Sequence, residues 1–96
     1  MLEPRARRWT FLREACRELG RRDVEVLRIR YQDYQGPRVE NVTVRALAVE
    51  WGGLERLLVP GGCALLYHAP RGAPPPGAVG LPGPPGVQAW RVGCST

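Results

Sequence analysis

The sequence predicts an α+β domain, mostly β, in which an N-terminal helix caps a small, strongly bent antiparallel sheet of about five strands that closes toward a barrel. Three observations carry this expectation. Residues 10–20 place their apolar side chains on one arc of a helical wheel. Residues 24–51 read as two long strands joined by the short turn DYQGPR. The remainder breaks at Gly and Pro into apolar runs of strand length.

The elements follow in chain order. Residues 1–9 form a basic arm and residues 10–96 a single domain. The helix is expected over 10–20, with Thr10 capping its free backbone N–H groups and Gly20 supplying the left-handed residue that ends it. Phe11, Leu12, Ala15, Cys16 and Leu19 share an arc, while Arg13, Glu14, Arg17 and Glu18 face away. A helix begun at Pro4 would bring Arg5 and Arg8 onto the apolar stripe, which favours the later start. Arg21 and Arg22 follow the C-terminus, where positive charge suits the helix dipole.

Strands are expected near residues 24–32, 38–51, 54–59, 63–69 and 87–93. In the first, Leu27, Ile29 and Tyr31 alternate with Arg28 and Arg30, so that both arginines project from one face. Asp33–Pro37 is turn chemistry. The second strand is apolar on both faces from Val42 to Val49, as for a strand buried on two sides or sharply bent. Gly52-Gly53 reads as a hairpin turn into the third strand, and CALLYH (Cys63–His68) as the core of the fourth. Residues 70–86 hold seven Pro and five Gly and read as a polyproline-type surface loop.

Composition narrows the function. Ninety-six residues give room for one modest core. No apolar run approaches the roughly 20 residues of a membrane span, and the start MLEPRARRWTFL has positive charge without an apolar segment after it. The expected setting is therefore cytoplasmic, with no membrane partner. Cys16, Cys63 and Cys94 are widely spaced and contain no CxxC, which fits reduced, packed thiols. All 14 basic residues are Arg. Residues 1–30 carry nine of them against five acids, and residues 31–96 five against four, so positive charge concentrates near the N-terminus, where a polyanion would be attracted.

Catalytic chemistry finds few residues to work with. The single His is His68 and the single Ser is Ser95, so a Ser–His–acid triad would rest on the chain end. Lys is absent, which removes Schiff-base and P-loop chemistry. Cys63 and His68 project to opposite faces of one strand. Glu50 and Glu55 read as the polar rim of a turn. No ligand pair has short zinc-site spacing, and the Asn41-Val42-Thr43 triplet lacks a secretory context. No catalytic residue, metal or cofactor is expected.

Arginine and aromatics remain. Arg28, Arg30, Arg38 and Arg45, with Tyr31 and Tyr34, form the expected nucleic-acid-binding set, and Arg13, Arg17, Arg21 and Arg22 an additional basic patch. A guanidinium offers a planar fork for phosphate and a flat face for bases, and aromatic rings stack on unpaired bases. The expectation is a small non-enzymatic module that binds nucleic acid, single strands favoured, or an anionic regulatory ligand. The alternative is a protein-interaction, inhibitory or assembly factor that uses a sheet edge, the helix and the Pro-rich loop, with an oligomer open in either case.

The segment LRIRYQDYQGPRVENVTVRALAVEWGG, residues 27–53, resembles the opening of bacterial WYL domains: a helix, a strand running through "irY" into a turn with Gly, then a strand ending in an apolar run and Gly. Leu57-Leu58 stands where those domains carry Trp-Tyr-Leu. Over residues 11–69 the element order also resembles Sm-like, SH3-type small barrels, among them the short Sm-like inhibitors of the transcription terminator Rho. The resemblance implies a helix-then-barrel fold and an Arg-rich face that senses nucleic acid or another anionic ligand in transcription or RNA regulation.

Overall fold

The structure, a computed structural model, describes residues 1–45 and 47–93, so the expectations placed on Cys94 and Ser95 lie outside the described residues. The chain is α+β: α1 (Ala6–Glu18), a 3-10 turn (Tyr31–Asp33), β1 (Val39–Val44), α2 (Trp51–Leu57), β2 (Leu58–Leu66), β3 (Val79–Leu81) and β4 (Gln88–Arg91). It divides into two compact units, Met1–Gln35 and Gly36–Thr96. The division falls inside Asp33–Pro37, the run whose residues predict a turn.

In the first unit, α1 begins at Ala6, ahead of the expected start at Thr10. Arg5 is the extended N-cap residue, and its backbone N–H donates to Glu3 Oε1 at 2.9 Å. The expectation failed because it assumed a deeply buried stripe. No residue of α1 is buried, so Arg5 and Arg8 stay solvated on the same arc as Leu12 and Cys16 at no desolvation cost. The C-terminus closes as a Schellman motif. Gly20 takes φ +67°, its N–H donates to the Arg17 carbonyl at 3.1 Å, and the Arg21 N–H donates to the Cys16 carbonyl at 2.9 Å. Arg21 then grips Asp23 in a bidentate pair, Nε to Oδ1 and Nη2 to Oδ2, both 2.9 Å. That guanidinium, aided by Asp23's own backbone N–H, holds the carboxyl below its usual range.

The strand expected over 24–32 is not formed. Leu27 makes a single parallel bridge to Leu2. The Leu27 N–H donates to the Met1 carbonyl at 2.9 Å, the Glu3 N–H donates to the Leu27 carbonyl at 3.0 Å, and the Met1 ammonium donates to the Glu25 carbonyl at 2.7 Å. Trp9 Nε1–H adds a bond to the Val26 carbonyl at 3.0 Å. The N-terminal arm and α1 thus satisfy the backbone groups that a neighbouring strand would have used.

The second unit is built on a four-stranded mixed sheet of order β1-β2-β4-β3. β1 runs parallel to β2, while β2/β4 and β4/β3 are antiparallel. The sheet is thus mixed where an all-antiparallel one was expected, and it is not closed, with β1 and β3 at its edges. Parallel neighbours need a crossover, and α2 supplies it. The strand expected over 38–51 therefore ends at Val44, the strand expected over 54–59 is helical through Leu57, and Gly52-Gly53 lies in the first turn of α2 instead of a hairpin. Trp51, Leu54, Leu57 and Leu58 recur at helical intervals and all four are buried. That burial outweighs the roughly 1 kcal/mol that each helical Gly costs relative to Ala. Trp51 meets Trp90 edge-on, with ring centroids 5.3 Å apart and planes at 81°. Val49, Ala64, Leu66 and Val92 complete the core. The expected strands 63–69 and 87–93 appear as parts of β2 and as β4, and the loop expected over 70–86 contains β3.

The β1–β2 register carries an irregularity that only glycine permits. Val39 pairs with Leu58 and Asn41 with Cys63, so the surplus residues of β2 bulge out between Val59 and Gly62. Gly61 turns there with φ +80°. A Cβ on Gly62 would lie 2.9 Å from the Val59 carbonyl oxygen and 3.1 Å from that of Glu40. Gly62→Ala is therefore expected to destabilise this unit by about 1–3 kcal/mol in urea denaturation. Gly52→Ala, where nothing stands within 4 Å, is expected to stabilise it by about 0.5–1 kcal/mol. Equal effects at the two sites would refute the bulge. Among the described residues, no helix is long and apolar enough to cross a membrane.

Candidate anion-binding face of the sheet

Side chains alternate across a strand, and cross-strand partners share a face. One face of the sheet carries Val42, Ala64 and Trp90 in register, followed by Val44, Leu66 and Gln88. Trp90 meets Trp51 there, so α2 lies on this side. The opposite face carries one row of Asn41, Cys63, Arg91 and Val79 and a second row of Thr43, Leu65, Ala89 and Leu81. It is open: Leu65 is 44 % and Val79 56 % exposed.

Continuing the alternation past the last paired residues brings Arg45 and Tyr67 to this open face. The Tyr67 N–H donates to the Val44 carbonyl at 3.2 Å, and the Arg45 guanidinium carbon lies 5.0 Å from the centre of the Tyr67 ring. A stacked cation of this kind is worth about 0.5–1 kcal/mol when exposed. A guanidinium held over a ring in this way can still offer N–H groups to a second partner. Arg91 is positioned from the other side, its Nη1 donating to the Gly61 carbonyl at 3.0 Å. The two rows with Arg45 and Tyr67 thus carry two cations and no carboxylate. The arrangement can take an anion at each of two separate points, one at Arg45 and one at Arg91, four residues apart along β2, while an apolar or aromatic group rests on Leu65 and Tyr67.

The expected site residues separate in the structure. Arg45 belongs to this face. Arg38 instead lines a cleft of about 310 Å³ together with Glu55 and the Pro75-Pro76 turn. Arg28, Arg30, Tyr31 and Tyr34 belong to the first unit. Tyr31 and Tyr34 stand three residues apart across the 3-10 turn, hence on one side of it, and both are half-buried. Arg30 pairs with Asp33, Nε to Oδ2 at 3.2 Å. In the additional patch Arg17 pairs with Glu14 and Arg21 with Asp23, and the Arg13 guanidinium lies 4.7 Å from the centre of the Trp9 ring. Arg22 and Arg28 are exposed and meet no carboxylate among the described residues.

Tyr67 and Arg91 lie on this face and are not among the residues the sequence singled out. The period-two run Cys63, Leu65, Tyr67 was a usable signal, but nothing local says that β4 and β1 flank it. Among the described residues, no group of three or more His, Cys, Asp or Glu side chains is placed to hold a metal ion. Compared with protein-family models, curated proteins and solved structures, the chain matches none.

Proposed function

We propose that this protein is a small, non-enzymatic, cytoplasmic module that binds single-stranded nucleic acid on the open face of its sheet, in transcription or RNA regulation. The observation that carries the reading is Arg45 stacked on Tyr67, on the same carboxylate-free face as Arg91. Phosphates would meet the guanidinium edges, and a base would stack on the tyrosine and lean on Leu65. The solvated Arg22 and Arg28 of the first unit add general attraction for a polyanion. The WYL-like segment, residues 27–53, points to the same class of ligand.

The test is fluorescence anisotropy with a labelled single-stranded oligonucleotide of mixed sequence across a salt series. Neutralising two phosphates at Arg45 and Arg91 gives a slope of log K against log salt near −1.4, or roughly 7-fold weaker binding between about 50 and 200 mM salt, and general attraction by the remaining arginines steepens it. Absence of binding at low salt, or binding that ignores salt, overturns the proposal.

A second reading rests on β1, which is an open edge six residues long with four of them exposed. An extended peptide of a partner protein can add to such an edge through main-chain hydrogen bonds. Its signature is a complex that survives nuclease and is lost when a proline is placed in β1.

A further inference from the structure

We infer that the cleft lined by Arg38 and Glu55 is a second binding site, for a small zwitterion with an apolar body, of the aliphatic α-amino-acid class. The cleft lies wholly within Gly36–Thr96 and measures about 310 Å³, at the lower end of the roughly 300–1,000 Å³ usual for ligand pockets. Its lining is apolar apart from two side chains. Leu58 and Val59 come from the start of β2, Val92 follows β4, and Pro75 and Pro76 belong to the Pro/Gly-rich segment.

The two polar side chains have opposite sign. Neither Arg38 nor Glu55 makes an ion pair or a side-chain hydrogen bond among the described residues, although both line the same cleft. A ligand with one charge would satisfy one of them and be repelled by the other. A carboxylate and an ammonium on one carbon, with an aliphatic side chain on the leucine, valine and proline surface, satisfy both. The same reasoning turns polyphosphate away, so this site is distinct in chemistry from the open face of the sheet.

The wall of the cleft is held in place before any ligand arrives. The Ala78 N–H donates to the Pro75 carbonyl at 3.1 Å, and Gly77 turns with φ +83°. A Cβ on Gly77 would come within 3.4 Å of Gly93 Cα, so the two backbones touch. Gly93 in turn accepts from the Gly61 N–H at 3.3 Å. Proline fixes φ and carries no N–H, so Pro75-Pro76 offers an apolar surface that needs little ordering on binding.

The experiment titrates L-leucine into the isotope-labelled full chain and follows backbone amide shifts. Saturable shifts confined to residues 38, 55–62, 77–78 and 92–93 are expected. N-acetyl-leucine, which lacks the ammonium, and leucinamide, which lacks the carboxylate, should each bind about tenfold more weakly. Arg38→Gln should remove the preference over leucinamide and leave that over N-acetyl-leucine; Glu55→Gln should do the converse. Both side chains are exposed, so the fold is expected to persist, and an unchanged amide spectrum elsewhere checks this. No shift up to the solubility limit of leucine, equal affinity for the three compounds, or variants that change both preferences alike would overturn the inference.

Discussion

Replacing Arg45 and Arg91 together with alanine is expected to flatten the salt dependence of oligonucleotide binding by about 1.4 in slope, at roughly 0.7 per phosphate contact on a single strand. Tyr67→Ala should act differently. It removes a stacking platform worth about 1–3 kcal/mol per base, or roughly 5- to 150-fold in affinity. The slope should stay near the wild-type value, because no charge is lost. Tyr67→Phe keeps the ring and should recover most of the affinity. The Arg45–Tyr67 contact at 5.0 Å also implies coupling: the loss in the double variant Arg45→Ala/Tyr67→Ala should differ from the sum of the single losses, since each residue presents the other. Parallel variants at Arg28 and Arg30 provide the contrast. If those alone abolish binding while Arg45, Tyr67 and Arg91 are silent, the open face is the wrong site.

Leu54→Ala is expected to lower the stability of the second unit by about 2–5 kcal/mol, and Trp51→Ala by about 3–5 kcal/mol. Leu54 is 0 % exposed and Trp51 4 %, so truncation of either leaves a cavity between α2 and the sheet. A helix of seven residues cannot stand alone in water, because nucleation takes up most of what so few backbone hydrogen bonds return. Its existence therefore depends on this burial. Against the roughly 5–15 kcal/mol of an ordinary domain, either change removes a large part of the margin. Urea denaturation followed by fluorescence and circular dichroism reads the effect. A loss under about 1 kcal/mol at Leu54, the range of surface substitutions, would show that α2 is not packed as described.

The limits of legibility follow from how far each signal reaches. The helix end at Gly20 was legible because a Schellman motif is local: it needs a glycine and the last turn. The strand character of Cys63–Leu66 and Gln88–Arg91 was legible from alternation over a few residues. Trp51–Leu57 was not, because Gly52-Gly53 is a strong local turn signal, whereas the burial of Trp51, Leu54 and Leu57 is tertiary. The helical spacing of those residues is present in the sequence but spans only two turns. Residues 24–32 misled for the opposite reason. Their alternation is strand-like, but Met1–Glu3 took the hydrogen bonds. The parallel β1–β2 pairing, and with it the open sheet, depends on which strands meet across the fold. The site inherits that difficulty: Arg45 was visible from its sequence neighbours, but Tyr67 and Arg91 join it only through register.

The three tryptophans are placed so that light can follow the two units separately. Trp9 is tied to Val26 in the first, while Trp51 and Trp90 meet edge-on in the second. Indoles this close are expected to couple their electronic transitions, so an exciton couplet in the circular dichroism would report the second unit and not Trp9. Loss of the couplet marks α2 leaving the sheet, and the emission of Trp9, isolated by replacing the other two indoles with phenylalanine, records the fate of the first unit on its own.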